Sequence, residues 1–222
     1  MAEEFPFPEP VYAQLARIGK ALASPVRLRL LDLLDQRERS VEELAAAAGI
    51  GVKNASAQLN QLRATNLVRS RKEGTRVYYR LADEAVARFL GTVQDFAGDR
   101  LADLRSAVAE ELGDLAALEP VTAEDLSTRM TESQVVVIDV RSADDYERGH
   151  IPGALSMPQA QLRDRLSTLP DDQEIVAYCQ GPYCVASPRA VKLLREHGHQ
   201  ASSLAGGLAR WRRRGLPVTE SA

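Results

Sequence analysis

Cys179 and Cys184 are the only cysteines among 222 residues, and both fall in one stretch, Cys179-Gln180-Gly181-Pro182-Tyr183-Cys184-Val185-Ala186-Ser187. Before it, Ile175-Val176-Ala177-Tyr178 is a short apolar run of the buried-strand type. After it, Ser187 and Pro188 read as the N-cap and first position of a helix. A cysteine that leaves a strand and enters a glycine-containing loop ahead of a helix faces successive main-chain N–H groups. Such groups cradle an anion and depress the pKa of a nearby thiol. The resulting thiolate is a nucleophile toward an oxyanion or a sulfur-transfer substrate. Cys179 is therefore the expected catalytic nucleophile, with Gln180, Gly181, Pro182, Tyr183, Val185, Ala186 and Ser187 as the anion cradle. Cys184 either resolves an oxidised or persulfidated Cys179 or packs beneath the loop. Two thiols at this spacing make neither a zinc site nor a disulfide framework, so neither a metal nor a cofactor is expected.

A second set of residues has a different chemistry. Between residues 50 and 80 the basic side chains are Lys53, Arg63, Arg69, Arg71, Lys72, Arg76 and Arg80, opposed only by Glu73. That span carries +6, so with a net charge of −3 the remainder carries −9. Asn54, Ser56, Gln58 and Gln61 lie within the same span. Amide and hydroxyl side chains pair with base edges in a major groove, and flanking cations pair with phosphates. Lys53, Asn54, Ser56, Gln58, Gln61, Arg63, Arg69, Arg71, Lys72 and Arg76 are the expected contacts to double-stranded DNA.

The elements that must position these residues follow from periodicity and punctuation. Val11, Leu15, Ile18 and Leu22 recur at helical spacing. Ser24-Pro25 opens a second helix, which Val26, Leu28, Leu30, Leu31, Leu33 and Leu34 make largely buried. Ser40-Val41-Glu42-Glu43 is a capping box for a short third helix ending at Gly49. Residues 52–64 form a fourth, with Val52, Ala55, Leu59 and Leu62 on its inner face. Two alternating segments, 67–71 and 75–81, flank a Lys72-Glu73-Gly74 turn. Two helices about a tight glycine turn, then a basic hairpin, make a winged helix-turn-helix. From Val86 to Leu115, apolar residues at spacings of three and four predict one long helix, paired with a second copy of the chain, with Gly113 ending or bending it.

After Leu118-Glu119-Pro120 the pattern changes. Residues 135–140 are a continuous apolar run of parallel-strand type, and helical patterns occupy 159–167 and 188–197. Alternating strands and helices predict an α/β sheet covered on both faces, with ligands at the carboxyl ends of its strands. Two domains are expected, 1–118 for DNA binding and dimerisation and 119–222 for cysteine chemistry. His197 and His199 read as exposed residues at a helix end, and Arg210, Arg212, Arg213 and Arg214 as a solvated face.

Composition excludes several classes. A net charge of −3 argues against a protein that coats nucleic acid through bulk positive charge, though not against a local patch. No stretch approaches the ~18–20 apolar residues of a membrane span, so no membrane partner is expected. The acidic, proline-rich start lacks the basic and apolar regions of a secretory signal. A cytoplasmic chain with reduced thiols is expected.

Two family resemblances follow. Ala21-Leu22-Ala23-Ser24-Pro25-Val26-Arg27-Leu28, the leucine-rich helix after it and Gly74-Thr75-Arg76-Val77-Tyr78-Tyr79 resemble the ArsR/SmtB family of dimeric bacterial repressors. That resemblance covers residues 10–98 and implies a homodimer on a pseudo-palindromic operator. This half has no cysteine, and the first histidine is His150, so the family's metal-sensing ligands are missing and the signal must enter elsewhere. Asp139-Val140-Arg141-Ser142, the segment from Tyr146 to Ala154, Tyr178-Cys179 with its loop, and Gly206-Gly207-Leu208-Ala209-Arg210-Trp211 ahead of Gly215-Leu216-Pro217-Val218 resemble the rhodanese family over residues 120–220. The resemblance implies that Cys179 accepts sulfane sulfur as a persulfide from a small sulfur-containing anion or persulfide donor, with Asp139, Arg141 and His150 structural. The stretch from Cys179 to the next helix is longer than the six-residue rhodanese loop, which admits a larger oxyanion such as phosphate or arsenate.

The function expected from both halves is a transcriptional repressor whose persulfide chemistry alters operator binding. A sulfurtransferase with a tethering or autoregulatory winged helix is the alternative, and an arsenic-linked regulator or reductase a third.

Overall fold

Two serine caps set the start of the amino-terminal fold in the computed structural model, which describes residues 8–112 and 120–220. Helix α1 (Glu9–Leu22) precedes α2 (Pro25–Gln36), where Ser24 accepts the Arg27 N–H and Pro25 takes the first position. Strand β1 (Arg39–Ser40) leads into α3 (Val41–Ala48). The capping box there is reciprocal: Glu43 N–H donates to Ser40 Oγ at 3.2 Å, and Ser40 N–H donates to Glu43 Oε2 at 2.7 Å. These bonds hold the Glu43 carboxyl below its usual range, the main-chain N–H of Ser40 contributing most. Gly49, with φ of 65°, closes α3 in the left-handed region that glycine enters without strain. Helix α4 (Val52–Ala64) follows, then β2 (Val68–Glu73) and β3 (Arg76–Leu81).

The three strands pair antiparallel in the order β1-β3-β2. Glu73 pairs with Arg76, so the hairpin turns on Gly74-Thr75 rather than on Lys72-Glu73-Gly74. Gly74 alone takes a positive φ there, 59°, which leaves Lys72 and Glu73 free to stay in the ladder. Leu30, Leu31, Leu44, Ala55, Leu59 and Leu62 are fully buried. Leu28 and Val52, expected inside, are 41% and 48% exposed. Leu28 lies well round its helix from Leu30 and Leu34, and Val52 is the first residue of α4.

The expected single long helix is two: α5 (Glu84–Arg100) and α6 (Ala102–Leu112), separated at Leu101, which is 55% exposed. Gly98, just before the break, weakens helical preference locally. Gly113 and Leu115 lie outside the described residues. The chain divides into two compact units between Leu90 and Gly91, and the expected boundary at 118/119 falls outside the described residues. No helix among the described residues is long and apolar enough to cross a membrane.

The carboxy-terminal fold runs α7 (Ala123–Thr131), β4 (Val135–Asp139), α8 (Ala143–Glu147), β5 (Leu155–Ser156), α9 (Gln159–Arg165), β6 (Glu174–Tyr178), α10 (Ala186–Glu196), β7 (Ala201–Ser203) and α11 (Gly207–Arg213). The sheet order is β5-β4-β6-β7 and every pairing is parallel. Side chains alternate across the strands, which builds two cores. Ile138, Ile175 and Ala177 pack with Leu162 of α9 and Val191 and Leu194 of α10. Val137, Val176 and Tyr178 pack with Leu126 of α7 and Leu208 and Trp211 of α11. This is the expected sheet with helices on both faces, and Cys179 sits at the carboxyl end of β6.

Ser40→Ala removes one half of the capping box and is expected to cost about 1 kcal/mol, read as a lower midpoint in urea unfolding.

Candidate functional site

Three segments converge on the loop after β6. Asp139, at the end of β4, is 0% exposed and accepts from Arg141 Nε at 3.0 Å and Nη2 at 2.6 Å. The same guanidinium donates to the carbonyl of Gly149 at 2.7 Å and to Gln180 Oε1 at 3.1 Å. Desolvation works against the Arg141 charge, but the hydrogen bond and attraction of Asp139 hold its pKa above the ordinary value. From the other side, α11 meets the loop end-on: Leu208 N–H donates to the Cys179 carbonyl at 2.9 Å and Ala209 N–H to the Gln180 carbonyl at 2.8 Å. Gly207 makes that approach possible. Its φ is 57°, and a Cβ there would lie 2.4 Å from the Cys179 carbonyl oxygen.

Within the loop the two sulfurs have opposite surroundings. Cys179 is 1% exposed. Its Sγ faces oxygen atoms: the carbonyls of Gly181 at 3.8 Å and Cys184 at 3.6 Å, and Ser187 Oγ at 3.3 Å. Cys184 is partly exposed, and its sulfur receives a hydrogen bond from the Cys179 thiol and main-chain N–H groups of Ala186 and Gln180. That shared bond, then the two N–H groups and the Arg141 charge, outweigh burial and bring the Cys184 thiol down to about 6. The same bond, together with burial, pushes Cys179 well above the ordinary thiol range. At Cys179 the hydroxyl and main-chain N–H of Ser187 act in the expected, lowering direction but are outweighed by the bond shared with Cys184 and by burial.

The loop differs from expectation in a second way. Helix α10 begins at Ala186 with Val185 at its N-cap, so Ser187 and Pro188 lie inside the first turn. Proline is tolerated there because first-turn N–H groups have no partner within the helix. Ser187 is 5% exposed, and its hydroxyl serves Cys179 instead of the helix end. Starting the helix two residues earlier shortens the stretch from Cys179 to the helix to residues 179–185, which is still longer than the six-residue rhodanese loop. Pro182 and Tyr183 form the tip of a turn closed by the Cys184 N–H to the Gly181 carbonyl, and Tyr183 is 38% exposed.

The histidines stand apart from this loop. His150 is buried, stacks on Tyr146 at 3.7 Å and pairs its main chain with Thr219. His197 is exposed, whereas His199, expected in solvent, is buried with Nδ1 3.6 Å from Asp171. It lies on the chain that leads from α10 into the edge of the sheet, and that packing covers it.

The polar face of α4 is organised by a residue outside it. Arg27, in the first turn of α2, donates to Gln58 Oε1 at 2.9 Å and to Gln61 Oε1 at 2.7 Å. Gln58 Nε2 in turn donates to Asn54 Oδ1 at 3.2 Å. Lys53, Asn54, Gln61 and Arg63 are exposed, and Ser56 and Gln58 half-buried. On the hairpin, Arg69, Arg71, Lys72 and Arg76 are all exposed. Arg71 is held by Glu38 at 2.7 Å and by Glu73, and lies over the Tyr78 ring at 4.6 Å. Arg63 reaches Ser70 Oγ at 3.5 Å. The ordering role of Arg27 carries no signal in spacing, since its partners lie 31 and 34 positions away.

Fold and loop together define a two-part protein, a winged helix-turn-helix followed by a rhodanese-like α/β unit. The rhodanese-like domain family matches residues 122–214, and a helix-turn-helix domain family matches residues 22–71. An HTH-type transcriptional regulator of Mycobacterium tuberculosis is 47% identical over 209 residues, spanning 94% of this chain and 92% of that protein. A sulfurtransferase of Allochromatium vinosum is 32% identical over 100 residues, 44% of this chain and 92% of that protein. The solution structure of a homodimeric winged helix-turn-helix DNA-binding domain from Mycobacterium bovis is 47% identical and covers 46% of this chain and 95% of that one, with a TM-score of 0.41. The chain belongs to the ArsR-type winged-helix transcriptional regulators that carry a carboxy-terminal rhodanese-like domain.

Two outcomes test this geometry. Gly207→Ala is expected to lower stability by about 1–3 kcal/mol through backbone strain alone and to disturb thiol reactivity in the loop; unchanged urea unfolding and unchanged reactivity would remove the clamp by α11. Thiolate absorbance in the ultraviolet is expected to rise through a step near pH 6, with the pair uncharged below it. Cys184→Ala should abolish that step, and Cys179→Ala, which deletes the leading hydrogen bond, should move it upward.

Proposed function

We propose that this chain is a homodimeric, operator-binding repressor whose rhodanese-like domain takes up sulfane sulfur in the Cys179–Cys184 loop, and that the modified loop weakens DNA binding. The observation that carries the reading is the meeting of two thiols and a set of inward-turned N–H groups in one loop, on a chain that also carries a winged helix. Such a loop stabilises one sulfur anion, and a second thiol in contact allows the modified state to be resolved. The ArsR-like half has no cysteine or histidine to hold a metal signal, which favours an input through the other half.

The DNA-facing surface is α4 with the β2–β3 hairpin. Lys53, Asn54, Gln61, Arg69 and Lys72 are exposed there and suit base and phosphate contacts, whereas Arg71 is held in place by two carboxylates. A second copy of the chain suits the exposed apolar residues Val11 and Leu15 of α1 and Phe89 of α5, since exposed large apolar side chains favour association. Operator binding and reduced thiols are consistent with the cytoplasm.

A second reading has support from the sulfurtransferase of Allochromatium vinosum, similar over nearly its whole length: the loop turns over sulfane sulfur and the winged helix tethers or autoregulates.

The test pairs intact mass spectrometry with a gel shift on the DNA upstream of the gene. After treatment with a sulfane donor, added mass in the loop should accompany a loss of operator affinity of roughly 5–150-fold, the range of ordinary coupling between sites. Cys179→Ser/Cys184→Ser should bind DNA with and without donor alike. Unchanged affinity in the modified wild type, with rapid turnover of thiosulfate, would replace the repressor reading with the sulfurtransferase one.

A further inference from the structure

We propose that Arg27 is a positioning residue for DNA reading: it contacts neither base nor phosphate, and it sharpens the sequence preference of α4 by ordering the Gln58 and Gln61 side chains. This rests on the reading of α4 as the helix that enters the DNA groove.

The first argument is a count of donors. A guanidinium carries five N–H groups and accepts nothing. In Arg27 four of them are engaged inside the fold. Nε donates to the Ala21 carbonyl, and Nη2 donates to the Lys20 carbonyl at 2.7 Å. Both carbonyls belong to the last turn of α1, where a helix supplies no partner of its own. Nη1 donates to Gln58 Oε1 at 2.9 Å and to Gln61 Oε1 at 2.7 Å. An arginine that grips phosphate offers its fork to the anion. This one is half-buried, with its fork closed on helix ends and amides.

The second argument is the frame that holds the arginine. Arg27 stands in the first turn of α2, where its main-chain N–H donates to Ser24 Oγ at 3.5 Å. Its side chain spans from the carboxyl end of α1 to the polar face of α4. Arg17 of α1 adds a second tie: Nη1 donates to Gln14 Oε1 at 2.9 Å, and Nη2 to the carbonyl of Ala64, the last residue of α4, at 3.0 Å. The two carboxamides are thus anchored to three helices rather than to one mobile neighbour.

Affinity and sequence preference then have separate sources. Contacts to phosphate supply most of the affinity and its salt dependence, while contacts to base edges supply the preference. A glutamine on a helix surface rotates freely, and one already ordered gives up less conformational entropy when it binds. Loss of Arg27 leaves the phosphate contacts as they are and blurs the reading of bases.

The experiment uses the full chain in gel shifts across a salt series, on the DNA upstream of the gene and on an unrelated duplex of equal length. Selection from randomised duplexes reads the base preference directly. Arg27→Met, which has no donor, should lower the ratio of the two affinities roughly tenfold and broaden the selected sequence. Its affinity for the unrelated duplex, and the slope of log affinity against log salt, should match the wild type. Arg27→Lys keeps the charge and loses the planar fork, and it should behave as Arg27→Met does. A slope shallower by about 0.9 in Arg27→Met would make Arg27 a phosphate contact and overturn the assignment. Full rescue by lysine would overturn it too, since charge alone would then suffice. Gln58→Ala/Gln61→Ala should lose the same preference, and adding Arg27→Lys to it should change nothing further. An additional loss there would show that Arg27 acts through other groups. That double variant alters only the polar face of α4, so it decides the matter where urea unfolding shows that the Arg27 variants have not folded: an intact preference would overturn the proposal. A wild type with no preference for any duplex would instead overturn the reading of α4 as a DNA-reading helix, and this proposal with it.

Discussion

The buried guanidinium of Arg141 is where the carboxy-terminal domain is tied together. It joins the end of β4 through Asp139, the turn at Gly149 through a carbonyl, and the sulfur loop through Gln180. Removing one member of such a buried pair leaves an uncompensated charge and typically costs about 3–5 kcal/mol, so the strand, the turn and the loop depend on one another's placement. The guanidinium also bears on the loop's electrostatics, its positive charge contributing to the lowered pKa of Cys184.

The opposite wall of the loop is built of backbone. Helix α11 presents N–H groups to two loop carbonyls, so on this side the loop is held through its main chain. A side chain on Gly207 would occupy the space through which those bonds form. The loop is therefore gripped between a charged side chain and a glycine-opened helix end, both within one sheet-based fold.

Much of this could be read from the sequence where a signal is local. The Ser24 and Ser40 caps, the left-handed Gly49, the span of α4 and the parallel strand at Val135 each depend on residues within a turn or a strand of one another. Strands of two or three residues, β1, β5 and β7, have too little pattern to announce themselves. The cap assigned to Ser187 failed because its hydroxyl found a better partner in Cys179, a tertiary contact that outweighs a local preference. The contact between the two thiols was illegible for a related reason: it depends on the path of the turn at Gly181–Cys184, which spacing does not encode. Likewise Arg27 reaches Gln58 and Gln61 across 31 and 34 positions, and Arg141 reaches Gln180 across 39.

The grip of Arg27 has a consequence for how a base sequence would be read. A carboxamide has one accepting end and one donating end, and a guanidinium can only donate. By holding the oxygens of both Gln58 and Gln61, Arg27 sets the polarity of the two amides. Gln58 passes it on, its Nε2 donating to Asn54 Oδ1 and leaving the Asn54 nitrogen pointing onward. Three carboxamide oxygens of α4 are thus engaged within the fold. In the proposed DNA complex this favours the donating ends of those amides for the acceptor edges of the major groove, N7 and O6 of guanine, N7 of adenine and O4 of thymine. One arginine at the start of the preceding helix thereby orders the amides of the next.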